Sequence, residues 1–244
     1  MLFAGCLHRN ALHSHSAPVP LAGLYEDFRL KIGGGSWFGC RAAVISAGTA
    51  YEFDAGGRPL AVIYVEPSEA SAEGLAALIG QTREEQDALI GMRCDLGLIR
   101  ALYEDPASPR WAGEAMTDLI GFSTVKARRT IDARVQRAIE TVADDAETLG
   151  EVWYRPPLTV TLAARAAGLS TSRFQHLFKQ EVGVPYSRYT AWARMRLAVS
   201  EVIKGSNFTT AAHAAGFYDQ PHFAHEFRRI FGAPASRSLA NVRS

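Results

Sequence analysis

The chain has 244 residues, 48% of them hydrophobic, with 26 Lys+Arg against 25 Asp+Glu and a net charge of +1. That length and composition suit one large or two ordinary folded domains, exclude a disordered or collagen-like chain, and with three cysteines exclude a disulfide framework. The near-neutral total hides an asymmetry: residues 1–125 carry 9 Lys+Arg and 15 Asp+Glu, net −6, and residues 126–244 carry 17 and 10, net +7. A basic half with so modest an excess suits a polyanion gripped at a few phosphates better than nonspecific coating.

Leu2-Phe3-Ala4-Gly5-Cys6 has the look of a lipoprotein cleavage box but lacks the charged and apolar regions that should precede it. With no run long enough to span a bilayer, a cytoplasmic protein with no membrane partner is expected. Cys6, Cys40 and Cys94 show no CxxC spacing, so free thiols are expected. His13-Ser14-His15 would set two imidazoles on one side of a strand. From residue 20 to 66, short β-branched and aromatic runs alternate with glycine turns: Phe28 to Ile32, Trp37 to Ile45, Tyr51 to Asp54, Leu60 to Val65. This pattern predicts an antiparallel sheet or small barrel, with Tyr51 and Phe53 on one face and Val62 and Tyr64 similarly paired. A barrel of this size is filled by side chains or holds one small ligand.

From Ser71 to Tyr103 the spacing turns helical. Leu75, Leu78 and Ile79, then Leu89 and Ile90, then Leu96, Leu98, Ile99 and Leu102 predict two helices, broken near Gly80 to Arg83, that pack on the barrel. An apolar seam beyond what the barrel covers would need a partner, which points to a homodimer. Residues 105–129 predict a further short helix and then a linker. The domain organisation expected is a sensor barrel at 1–70, helices at 71–122, a linker at 123–130 and a helical domain at 131–244.

Ile131, Val135, Ala138, Ile139, Val142 and Leu149 form one stripe of a supporting helix, and Pro156-Pro157 stops the chain before the next element. A repeat follows. Residues 166–187 and 214–236 both carry Ala-Ala-Gly, Phe-x-x-x-Phe, Gly-x-Pro and a final Ser; Gly168 and Gly216 pair at an offset of 48, and Phe174/Phe223 to Pro185/Pro234 at 49. The one inserted residue falls in the turn after the glycine, where length changes cost least. Each copy predicts a helix-turn-helix, at 160–182 and 208–231, with Gly168 and Gly216 supplying positive φ, Ser170 and Asp219 as caps, and Thr209 or Thr210 opening the short helix of the second copy.

Phe174, Leu177 and Phe178, and Phe223, Phe227, Ile230 and Phe231, should be buried. The opposite faces keep Ser172, Arg173, Gln175, His176 and Lys179 in one copy and Gln220, His222, His225, Arg228 and Arg229 in the other, groups of the kind that read base edges and phosphates. Between the copies, Tyr186 to Lys204 predicts a helix ended by Gly205, with Tyr189, Trp192, Leu197, Val202 and Ile203 inward and Arg188, Arg194, Arg196 and Lys204 as candidate phosphate contacts. Nineteen residues at ~1.5 Å each span about 28 Å, near the ~34 Å repeat of DNA.

The double motif, above all AAHAAGFYDQPHFAHEFRRIFGAPAS, resembles the DNA-binding domain of the AraC/XylS family of bacterial transcription regulators. The resemblance covers residues 129–240, and the N-terminal half is similar in layout to the family's cupin-like effector domain. It implies an α+β chain: a small cupin-like antiparallel β-barrel with flanking helices, then an all-α domain of two helix-turn-helix units joined by one long helix. Carried over by position, Ser172, Gln175, His176, Gln220, His222 and His225 are the base-reading slots. Ser170, Arg173, Lys179, Arg188, Arg194, Arg196, Arg228 and Arg229 are the phosphate contacts. The implied function is an effector-responsive transcription activator whose partners are double-stranded DNA, a small-molecule effector, RNA polymerase and a second copy of the chain. Pro221 in the first turn of the second recognition helix and the missing aromatic and basic pair after Ala235-Ser236 depart from the pattern.

Cupins complete a His-x-His with a carboxylate and a later His. Here the later slot, after Ser46-Ala-Gly-Thr, is Tyr51, and no Glu follows at the usual distance, so neither metal nor cofactor is expected. His13, His15, Tyr51, Trp37 and Tyr64 remain candidates for effector contact or for a structural role. Two other readings stay open: a DNA binder whose acidic half serves dimerisation only, and a metal-dependent cupin enzyme fused to a DNA-binding domain. The chain has no G-x-S-x-G and no P-loop, so catalysis is not expected.

Overall fold

A computed structural model describes residues 1–80, 82–91, 97–105, 107–108, 114, 131–148 and 159–239. The chain divides into two units, Met1–Thr130 and Ile131–Ser244. The first is built on eight antiparallel strands: β1 (Leu2–Arg9), β2 (Val19–Gly23), β3 (Phe28–Ile32), β4 (Phe38–Cys40), β5 (Ala42–Ile45), β6 (Tyr51–Ile63), β7 (Thr82–Glu84) and β8 (Ala88–Gly91). Their order is β4-β3-β6-β2-β5-β8-β7, with β1 paired along β6.

The long strand β6 organises this sheet. Tyr51 to Asp54 pairs with β3, Leu60 to Val62 with β2, and β1 runs along Asp54 to Ile63. Gly56 and Gly57 take φ of 61° and 82°, and the register to β1 slips there between Leu7 and Arg9. Such a bulge bends its strand and curls the sheet. Among the described residues β4 and β7 are the two ends of the path and do not pair, so the expected barrel is an open, curled sheet.

Both faces of the sheet are covered. Phe28, Leu30, Tyr51, Phe53, Val62 and Ile90 fill one core; Ala22, Val44, Ala61 and Ile63 meet Leu75, Ile79 and Ile99 in the other. The second core lies under α1 (Ala72–Leu75) and α2 (Gly97–Glu104). Leu89 and Ile90, expected on a helix, instead lie on β8, which pairs with β5 from Ala42↔Gly91 to Ile45↔Ala88. Gln86 and Asp87 accept φ of 44° and 56° to close the β7–β8 hairpin, and an open ladder on β5 outweighs a short run of helical spacing. Gly91 is required there, because a Cβ would stand 2.3 Å from the Ile79 carbonyl oxygen. Of the seam expected to need a partner, Ile99 and Leu102 are buried within the one chain and Leu98 is half-buried. Cys40 is buried, which pushes its thiol up to about 12, and Cys6 is exposed.

The second unit comprises α3 (Ala133–Thr148), α4 (Val160–Ala166), α5 (Thr171–Val182), α6 (Tyr186–Ile203), α7 (Phe208–Ala214), α8 (Gln220–Phe231) and α9 (Ala235–Ser238). Cys94, Leu96, the 123–130 linker, Leu149 and Pro156-Pro157 lie outside the described residues. Ile131, Val135, Ala138, Ile139 and Val142 are buried along the α3 stripe. Leu177 and Phe231, expected inside, are half-buried, as are Leu197, Val202 and Ile203. α9 is anchored by buried Ala235 despite its departure from the family pattern.

Candidate nucleic-acid interface

The two copies of the motif fold alike. Gly168 and Gly216 turn the chain at φ of 66° and 70°, a conformation strained for any other residue. Ser170 Oγ accepts from the Arg173 N–H at 3.3 Å to start α5, and Asp219 Oδ1 accepts from the His222 N–H at 2.7 Å to start α8. Gly183 and Gly232, left-handed at φ of 89° and 69°, stop the two helices. Asn207, the better capping residue, opens α7 in place of Thr209 or Thr210: its Oδ1 accepts from the Thr210 N–H at 2.9 Å.

Aromatic packing holds the inner faces. Phe178 meets Tyr186 at 5.2 Å and Tyr189 at 5.6 Å between centroids, while Phe227 meets Phe231 at 4.4 Å and Phe223 meets Phe217 at 5.6 Å. α6 runs between the two aromatic clusters. Its eighteen residues at ~1.5 Å each place their ends about 27 Å apart.

Outward, Ser172, Arg173, Gln175, His176 and Lys179 are all exposed on α5, as are Gln220, His222, His225, Arg228 and Arg229 on α8. Ser172, Gln175 and His176 share one open face of α5, whereas on α8 Gln220 stands on a different flank from His222 and His225. Arg229 is committed to Glu226, its Nε lying 3.1 Å from both carboxylate oxygens. Burial works to raise the Glu226 pKa, yet Arg229, with His222 and His225 nearby, holds the carboxyl below its ordinary value. Arg228 makes no ion pair among the described residues. Arg188 is half-buried; burial first, and then the like charge of Arg229, lowers its pKa. Arg196 is half-buried too.

Arg194, expected to contact phosphate, is turned inward. Its Nε donates to the Ala215 carbonyl at 3.0 Å, its guanidinium lies 5.0 Å over the Phe217 ring, and burial lowers its pKa. α6 is packed by neighbours on most of its turns, with Tyr186, Tyr189, Trp192, Met195 and Val199 all buried, so a cation on it can be trapped against the α7–α8 turn. Helical periodicity carries no signal for which cation that will be. Two residues on the outer surface, Tyr218 and Ala224, escaped the sequence reading. Tyr218, the residue inserted into the second turn, is 85% exposed, and Pro221 and Ala224 stand exposed beside His222 and His225. The inserted position, visible in the offset of the repeats, was the available signal for Tyr218.

In the first unit the structure brings together four of the five candidate effector contacts. His13 lies 4.9 Å from His15 and 4.4 Å from Tyr51, and His15 lies 4.8 Å from Tyr64, between centroids. Trp37 is flanked instead by the guanidinium groups of Arg9 and Arg29, at 5.1 and 5.3 Å. His13 Nδ1 donates to the Ala11 carbonyl at 2.9 Å and Nε2 accepts from Asn10 Nδ2 at 3.3 Å; burial lowers its pKa to about 4, so it is neutral near pH 7. Burial also drives the Tyr51 phenol well above its usual value, and its hydroxyl has no hydrogen-bond partner among the described residues. Glu52, on the strand's opposite face, is held below its ordinary pKa by Lys31 and Arg9. The described residues contain no group of three His, Cys, Asp or Glu able to hold a metal, and no helix among them is long and apolar enough to cross a membrane.

Residues 163–241 match a family model described as a helix-turn-helix domain. No curated protein matches the chain in sequence. Among solved structures, ToxT from Vibrio cholerae in its P21 form is similar over 98% of this chain and 97% of its own, with a TM-score of 0.57 and 11% identity. Wild-type ToxT from Vibrio cholerae strain SCE256 with unsaturated fatty acid bound is similar over 100% and 97%, with a TM-score of 0.61 and 11% identity. A transcriptional regulator with an AraC-type DNA-binding domain from Chromobacterium violaceum is 25% identical over 41% of this chain and 91% of its own, with a TM-score of 0.33. At these identities the likeness to ToxT is one of fold: a curled antiparallel sheet followed by a helical domain.

Proposed function

We propose, from the premise that residues 163–241 form an AraC-type helix-turn-helix domain, that the chain is a sequence-specific transcription regulator of the cytoplasm, acting as an effector-responsive activator. The observation that carries this reading is the matched pair α5 and α8. Each starts at a side-chain cap, ends at a left-handed glycine and presents exposed polar and basic side chains, and about 27 Å of helix joins the two. Two helices so joined can enter successive major grooves of one duplex, with Ser172, Gln175, His176, Gln220, His222 and His225 toward base edges and Arg173, Lys179 and Arg228 toward phosphates. Ser170 serves first as a cap, and Arg194 as a clasp on the α7–α8 turn.

The N-terminal sheet is read as the sensor. His13, His15, Tyr51 and Tyr64 converge in its interior, and the buried Tyr51 hydroxyl is a polar group for which an effector could supply the missing partner. A ToxT structure contains an unsaturated fatty acid, so fatty acids belong among the ligands tried, beside small uncharged polar molecules that suit a neutral imidazole and phenol. The test is selection of bound sequences from random duplex DNA by the full chain, with thermal melting of the same protein against the ligand panel. An enriched asymmetric motif with two contacts about one helical turn apart is expected, as is a ligand that raises Tm. No enriched motif would overturn the DNA reading. RNA polymerase contact and activation are read by a reporter placed behind the enriched site, and self-association by sedimentation of the full chain.

A further inference from the structure

The side chains at the start of α8 are ambivalent hydrogen-bonding groups on paper. A neutral histidine is a donor at one ring nitrogen and an acceptor at the other, and a glutamine amide offers both. Bonds within the protein remove that ambivalence. The Tyr218 backbone N–H, which can only donate, points at His222 Nδ1 across 3.4 Å. Nδ1 must therefore be the acceptor, and the ring proton sits on Nε2. The ring is also held in orientation: it meets Phe217 edge-on at 5.4 Å and 81°, and Phe217 is itself buried and clasped by Arg194. Two residues earlier on the helix, Thr209 Oγ1 donates to Gln220 Oε1 at 3.0 Å, which engages the amide oxygen and leaves the –NH2 free to donate. Both side chains are exposed.

We infer that α8 reads acceptors on the DNA, with His222 presenting Nε2–H to the N7/O6 edge of a guanine and the Gln220 amide, on another flank of the helix, offering a donor to a separate acceptor. Guanine offers N7 and O6 as two adjacent acceptors in the major groove, whereas adenine sets its N6 amine next to N7 and would face a donor with a donor. Cytosine, whose major-groove edge is a donor, is rejected for the same reason. The half of the site under α8 therefore carries a guanine at the base pair His222 reaches, and the turn residue Tyr218 acts as a positioning residue through its main chain. This assignment rests on the DNA reading above.

The experiment compares wild-type, His222→Ala and His222→Gln full-length chains on the sequence the wild type enriches from random duplex DNA. Each guanine is replaced in turn by 7-deazaguanine, which removes only the N7 acceptor. At one guanine the wild type should lose roughly 3–10-fold in affinity, the range of one hydrogen bond, and His222→Ala should be indifferent to that same change. His222→Gln, which adds an acceptor beside the donor, should shift the preference at that base pair toward adenine and nowhere else. His222 is exposed but its ring meets buried Phe217, so an unchanged Tm in both variants is the check that the unit is intact. If an enriched site contained no guanine coupled to His222, or if the coupled base were cytosine, the assignment would be overturned while the DNA reading stood. Failure to enrich any sequence would overturn both.

Discussion

Arg194→Ala separates a clasp from a phosphate contact. The guanidinium gives one charge-assisted hydrogen bond to the carbonyl of fully buried Ala215 and lies 5.0 Å over the buried Phe217 ring. A hydrogen bond from a charged donor contributes about 1.5–3 kcal/mol and a partly desolvated cation–π contact roughly 0.5–2 kcal/mol. Their loss together should cost about 2–4 kcal/mol, allowing for overlap between the two. For a unit the size of Ile131–Ser244, one kcal/mol moves Tm by roughly 3–5 °C, so the unit's transition should fall by about 6–20 °C. The assay is thermal denaturation of the full chain followed by circular dichroism, paired with DNA affinity measured across a salt series. The salt slope should stay unchanged, because no phosphate contact is lost. Arg194→Lys keeps the charge but loses the planar fork that donates and stacks at once, so it should recover little of the stability. If instead Tm held within about 1 °C while the salt slope dropped by about one and Lys restored it, Arg194 would be a phosphate contact and the argument refuted.

Gly168→Ala and Gly216→Ala should each destabilise the second unit by about 1–2 kcal/mol in urea denaturation, and by equal amounts. An added Cβ meets nothing within 4 Å at the first and only ordinary contact with Arg194 at 3.4 Å at the second, so the left-handed backbone is the whole cost at both. Gln175→Ala should relax base preference at one position of the first half-site at a cost of about 1–3 kcal/mol, read by competition among single-base variants of the enriched sequence. His13 gives a pH dependence of defined sign. Its folded pKa of about 4 lies below its unfolded value of 6.5, so only the unfolded chain takes up the proton between them. Stability of the first unit should fall as pH drops from about 6.5 toward 4, by up to about 3 kcal/mol, and His13→Gln should flatten that slope by about one proton. Glu52, held low by Lys31 and Arg9, adds a loss in the same direction only as pH falls through the carboxylate range, which leaves pH 5 to 6.5 as the window for His13.

The helix-turn-helix pair was legible because several local signals agreed at each end. Gly168 and Gly216 carry positive φ, Ser170 and Asp219 cap, and the Phe-x-x-x-Phe spacing buries one face of each recognition helix. The sheet of the first unit was legible as alternation, including Tyr51, Phe53 and Val62 on one side. What misled was residues 82–91. Leu89 and Ile90 fit a helical spacing with Leu96 and Ile99 as well as they fit a strand, and the choice was made by a partner forty-odd residues away, β5. Closure of the barrel was likewise invisible, since it depends on which strands end unpaired, and no residue in β4 or β7 marks that. The inward bonds of Arg194 were hidden for a related reason: periodicity reports which face is apolar, but α6 has neighbours on most of its surface.

The two copies of the motif are equal in backbone and unequal in how the side chains proposed to read bases are held. On α5, Gln175 and His176 stand exposed on a helix whose cap, Ser170, bonds only the main chain. On α8 the inserted Tyr218 places an N–H against His222, Arg194 pins the turn and the ring platform beneath it, and Thr209 engages Gln220. A side chain already fixed in rotamer and tautomer loses less entropy on binding and tolerates fewer bases, whereas a free glutamine or histidine can offer either a donor or an acceptor. The half-site under α8 should therefore be the more strictly defined of the two, with the half-site under α5 accepting more variation at its base pairs. On this reading one extra residue in a turn, where length changes cost little, would give two otherwise matching helices different strictness.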